Sequence, residues 1–216
     1  MTRLLRQYDG TYIKLADAPT AGRQPLLSTR AASPDSGTFA GYGSFFGLLD
    51  RQGEIVDAGA FTRCLPTFRT AGLITWVHDT ARPVATIVSA VEDQFGLFIT
   101  ARFHSTPDAQ NARTVVVERL AAGADVGLSI GYGTAKDRYV GSTRHLVDLE
   151  LYEVGIVMVP ANTLATVTSA KGRQVGPAIP LTMTPATFRQ AAVRQSVAAN
   201  EAALARLRAR TLGVPV

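Results

Sequence analysis

The sequence predicts a mainly β, α+β fold: a compact antiparallel β-barrel with flanking helices and a helical C-terminal tail. Three observations carry this. Between Thr38 and Thr168 about six short apolar, β-branched segments alternate with turn residues: FAGYGSFFGLL, GLITWV, PVATIVSAVE, FGLFITARF, VGLSIGYGTA and RHLVDLELYEVGIVMV. Many short strands at such spacing suit a closed or partly closed barrel. Two stretches between them change to helical spacing, and 46% hydrophobic against 18% charged residues is a globular composition.

Taken in order, residues 1–36 are weakly patterned and end in STRAASPDSG, a loop composition, so they read as a leader outside the core and a candidate for processing. Residues 37–170 form the barrel domain. Its first helix follows Asp57 as N-cap, puts Phe61, Cys64 and Leu65 on one face, and is stopped by Pro66. The second opens at Thr106 and Pro107, carries Val115, Val116 and Leu120, and closes at Gly123. Residues 171–183 are a Gly- and Pro-containing linker. Residues 184–216, opened by Thr184 and Pro185, are a basic Ala- and Arg-rich helix.

Charge is uneven along the chain. Residues 1–170 hold 15 Lys and Arg against 16 Asp and Glu, while residues 171–216 hold 7 basic residues against Glu201 alone. Such a tail can touch an acidic surface or be a solvated helix face, and nucleic-acid recognition is not inferred from it. No apolar run approaches the roughly 18 residues of a membrane span, and the N-terminus lacks the apolar core of a secretory signal. One cysteine permits no internal disulfide and suits a reducing compartment, so the expected location is cytoplasmic. Cys64 and three scattered histidines have no metal-ligand spacing, and GYGSFFG and GLSIGYG match neither phosphate-binding glycine pattern, so neither metal nor cofactor is expected.

Three polar residues interrupt apolar runs in an order that suggests covalent catalysis: His78 in LITWVHD, Ser129 in GLSIGYG, Glu153 in LYEVGIVMVPAN. A serine hydroxyl needs an imidazole to take its proton, and the imidazole needs a third group to fix its tautomer. Ser129 shares a strand face with Gly127 and Gly131, which would leave room for an extended peptide. Taken alone, it also fits a strand serine bonded to a carbonyl. His78 stands where a strand meets a loop continuing Asp79 to Pro83, and equally fits a histidine packed on Trp76 and bonded to Asp79. Glu153 lies in one of the most apolar stretches and needs a partner if buried; Asp148, Glu150 and His145 are substitutes for its role. His104 and His145 read as surface positions, and Cys64 as a core thiol.

Five stretches taken together resemble one family. GYGSFFGLLDRQGEIVDAGAF, WVHD, FGLFITARF, GLSIGYG and LYEVGIVMVPANTLATV, spread over Phe39 to Ala170, are similar to the prohead maturation proteases of tailed phages, distant relatives of the herpesvirus assembly protease. The resemblance implies a serine peptidase on a herpesvirus-protease-type β-barrel, with His78 and Ser129 in the family's histidine and serine positions. It implies Glu153 as third member, where herpesvirus relatives use a second histidine; His145 or no residue are the alternatives. Phage members usually carry a serine at the position of Gly155, a departure expected to affect packing. Oxyanion donors are sought in the backbone around residues 160–162.

The implied function is limited proteolysis of scaffold, or of the N-terminal segment of the major capsid protein, and of the enzyme itself, through an acyl-enzyme. The implied setting is a homo-oligomer inside the procapsid in the host bacterial cytoplasm. The alternative on the same barrel is a catalytically silent capsid assembly or scaffold protein.

Overall fold

A computed structural model describes residues 3–6, 12–15, 37–170, 173–174, 184, 186–188 and 190–191. The chain divides into two compact units, residues 1–178 and 179–216. In the second, the described residues 186–188 and 190–191 are helical. Thr184 caps this helix: its hydroxyl accepts from the Thr187 amide at 3.2 Å, and its carbonyl accepts from the Phe188 amide at 2.8 Å. The rest of the helix expected over 184–216, and most of the 1–36 leader and the 171–183 linker, lie outside the described residues.

The first unit is one sheet. Its strands are β1 (Arg3–Arg6), β2 (Tyr12–Leu15), β3 (Thr38–Phe45), β4 (Glu54–Val56), β5 (Leu73–Trp76), β6 (Asp79–Glu92), β7 (Gly96–Phe103), β8 (Gly127–Val140), β9 (Thr143–Val157), β10 (Val167–Ala170) and β11 (Arg173–Gln174). They follow the order β11-β10-β3-β7-β6-β5-β9-β8-β1-β2, with β4 pairing β9 off this path. Each predicted apolar segment after residue 37 lies wholly or largely in a strand. Alternation explains the core. Ile74, Ile130, Val154 and Ile156 turn inward from β5, β8 and β9 toward Phe39, Leu97, Ile99 and Leu128.

Two parts of the fold expectation are corrected. The sheet is not closed into a barrel. Where closure would fall, between β8 and β10, there is only an isolated bridge from Gly127 to Thr166, flanked by amide bonds from Leu128 to Ala165 O and from Val167 to Val126 O, each 2.9 Å. Only residues 165–167 run extended beside β8, too short a segment for a ladder. Nor is the sheet purely antiparallel, since β4 and β5 both run parallel to β9.

Helix α1 (Leu65–Ala71) begins where it was expected to end. Pro66 lies in its first turn, where a missing N–H costs nothing because that donor has no helical acceptor. Asp57 caps nothing; it bonds His145 and Arg138 instead. Helix α2 (Pro107–Ala121) opens on Thr106 and Pro107, and Gly123 follows it with φ +75°. It buries Ala109, Ala112, Val116 and Leu120, leaving the expected Val115 at the surface.

Candidate active site

The site is built where β5, β9 and β8 lie side by side. Parallel pairing sets Leu73 opposite Glu153 and Thr75 opposite Gly155; antiparallel pairing sets Ser129 opposite Gly155 and Gly131 opposite Glu153. Cross-strand partners share a face, so Thr75, Gly155, Glu153, Ser129 and Gly131 all lie on the side away from the apolar core.

His78 reaches this face through a turn of two residues. Trp76 pairs with Asp79, and Val77 and His78 between them have φ of +48° and +64°. Positive φ at both central residues marks a type I′ hairpin, normally built from Asn and Gly. For a β-branched valine the conformation is strained. The Val77 amide bonds Ile156 O at 3.0 Å, which ties the turn to β9. The loop expected over Asp79 to Pro83 is instead the start of β6, and Asp79 bonds Arg82 and the Ala81 amide rather than His78.

The turn lays the imidazole over Gly155. A Cβ built there would lie 2.9 Å from His78 Nδ1 and 3.0 Å from Cε1. The ring donates from Nδ1 to Glu153 Oε1 at 2.6 Å. Glu153 is 2% exposed, and its second oxygen accepts from the Thr75 hydroxyl at 2.6 Å. Gly131 makes room for that carboxylate, because a Cβ there would stand 2.0 Å from Oε1. The glycines beside Ser129 thus house the protein's own side chains, where an incoming peptide had been expected.

Ser129 is 4% exposed. Its cross-strand partner is Gly155, over which the imidazole lies, and cross-strand Cβ positions are roughly 4.5–5.5 Å apart, so serine and histidine share one patch of this face. In the neutral ring, an Nδ1–H bonded to Glu153 leaves the lone pair on Nε2, the form a general base requires.

The substitutes for the acid lie elsewhere. Asp148 and Glu150 pair with Arg63 at 2.8 and 2.6 Å. His145 bonds Asp57 at 2.7 Å and lies opposite Arg138, ten residues from Gly155 and so roughly 30 Å along the strand. Burial raises the Asp57 carboxyl, but hydrogen bonds from His145 and Arg138 outweigh it and hold the group below the usual aspartate range. His104 bonds Thr86 at 2.9 Å in an exposed position. Cys64 is buried, and burial pushes its thiol up to about 11. Among the described residues no three His, Cys, Asp or Glu side chains gather as metal ligands, and no helix is long and apolar enough to cross a membrane.

An imidazole held by a buried carboxylate beside a strand serine is the layout of a serine hydrolase. The chain belongs to the caudovirus prohead serine protease family, whose profile matches residues 26–176. It is 30% identical over 139 residues to the prohead protease of Enterobacteria phage HK97, a match covering 62% of this chain and 60% of that protein. It is 27% identical over 126 residues to the prohead protease of Escherichia phage T5, covering 56% and 58%. The chain thus matches less than two thirds of the length of these curated relatives. The bacteriophage T4 capsid assembly protease aligns in structure with a TM-score of 0.45 at 10% identity, covering 73% of this chain and 96% of that one.

Proposed function

We propose that this chain is a capsid-maturation serine endopeptidase in which Ser129 is the nucleophile, His78 the general base and Glu153 the orienting acid. The observation that carries it is the His78 Nδ1 to Glu153 Oε1 bond of 2.6 Å, formed above the cross-strand partner of Ser129. Ser129 Oγ attacks the scissile carbonyl as its proton passes to Nε2, with Glu153 stabilising the imidazolium. The imidazolium then protonates the leaving amine, and water activated by the same nitrogen releases the acyl group from Ser129.

Family membership supports substrates among capsid components: scaffold, the N-terminal segment of the major capsid protein, and the enzyme's own chain. It supports action by a homo-oligomer inside the procapsid, in the host cytoplasm. In this reading residues 37–170 are the catalytic domain, an opened form of the herpesvirus-protease sheet. Residues 1–36 and 171–183 are the self-cleaved segments, and the basic segment 184–216 is a docking tail.

The test is coexpression with the capsid protein of the same element. Wild type is expected to shorten it, while Ser129→Ala and His78→Ala lose roughly 10⁴- to 10⁶-fold in rate. Processing by Ser129→Ala at the wild-type rate would overturn the peptidase reading in favour of a silent assembly protein.

A further inference from the structure

We propose that Thr75 is a positioning residue of this site: its hydroxyl anchors the Glu153 carboxylate and thereby sets the imidazole of His78. The inference rests on the functional reading above and adds a member that reading does not contain.

A glutamate side chain has three torsions, so one bond to an imidazole does not fix where its carboxylate sits. Here the second oxygen is fixed as well. Thr75 Oγ1 lies 2.6 Å from Glu153 Oε2, and an ionised carboxylate only accepts, so the threonine must donate. Thr75 is 0% exposed, on a four-residue strand flanked by the core residue Ile74. A β-branched side chain has few allowed χ1 states, so this donor is rigid. Its register partner is Gly155, the residue beneath the imidazole, so one backbone position relates donor, acid and base. Opposite, the bare Gly131 backbone stands against Oε1. The carboxylate is therefore held between a wall and a donor.

A buried hydroxyl needs an acceptor. This one is spent on the buried acid. Losing one partner of a buried carboxylate leaves an oxygen unsatisfied and lets the acid turn, with a cost felt at His78.

The experiment measures covalent labelling of the full-length protein at Ser129 by a fluorophosphonate probe, separating the maximal labelling rate from the probe's half-saturation concentration. Ser129→Ala is the blank, and thermal melting is followed for every variant. Thr75→Val, which keeps the shape and removes the donor, is expected to lower the maximal rate roughly 10- to 100-fold with half-saturation changed less than about threefold. Thr75→Ser, which restores the donor, is expected to recover most of that loss. Should Thr75→Val not fold, Thr75→Ala takes its place, with the same expected deficit relative to Thr75→Ser.

Labelling of Thr75→Val at the wild-type rate overturns the proposal, as does Thr75→Ser proving as slow as Thr75→Val, which would assign the loss to packing. Absence of Ser129-dependent labelling in the wild type is a different result. It overturns the peptidase reading itself.

Discussion

Gly155 lies beneath the ring of His78 with its Cβ position empty, and a methyl there would come within 2.9 Å of Nδ1. The imidazole is thus seated on backbone, and small changes beneath it move the base.

Gly155→Ala is expected to push the ring by a few tenths of an ångström. A misplacement of about 1 Å can cost roughly 100-fold, so a loss of about tenfold in Ser129 labelling is expected. Melting is expected to change little, because the ring sits at the end of a turn. Labelling at the wild-type rate would show that the ring has slack.

Val77 holds φ +48° while 49% exposed, so its side chain gains little from burial and costs strain. Val77→Asn suits a left-handed turn position and is expected to stabilise the fold by about 1 kcal/mol. Thermal melting checks this. A lower melting temperature would mean that the valine side chain makes a contact worth more than the strain.

Asp57 titrates below the usual aspartate range because His145 and Arg138 outweigh its burial. A carboxyl depressed on folding stabilises the native state above its unfolded pKa of about 3.9, and that stability fades as pH falls through the lower native value. Asp57→Asn should therefore melt below wild type at pH 6, with the gap closing toward pH 3. A gap constant across this range would remove the ionic role.

Cys64 is buried with its thiol raised to about 11. At pH 8 iodoacetamide is expected to modify native protein at least roughly 100-fold more slowly than denatured protein, since the thiolate is scarce and inaccessible. Rapid native alkylation, followed by intact mass, would show that the N-terminal end of α1 opens.

The sequence displays His78 and Glu153 because each is a polar residue breaking an apolar run, and burial then demands a partner. Thr75 sends no such signal, since a threonine in LITW reads as an ordinary β-branched strand residue. That it lies between Ile74 and Trp76, facing away from the core, becomes meaningful only once Glu153 is known to share its face. The parallel pairing of β5 with β9 was equally hidden, because four residues carry no local mark of strand direction. Barrel closure was inferred from strand spacing, but it depends on how many residues run extended at one seam, which spacing does not record. Pro66 shows a local rule applied at the wrong end: proline both stops a helix and starts one, and Phe68 inside the core decided which.

His78 and Glu153 are 75 positions apart, yet the alignment of β5 against β9, with the two-residue turn that carries His78, brings them together. The hairpin tips beyond that turn and α2 do not set their distance. Lengthening or shortening those excursions should leave the proton-handling pair intact, whereas a slip of one residue between two neighbouring strands would dismantle it. Evolution and engineers alike have latitude in those later loops and none in the register or in the turn that carries His78.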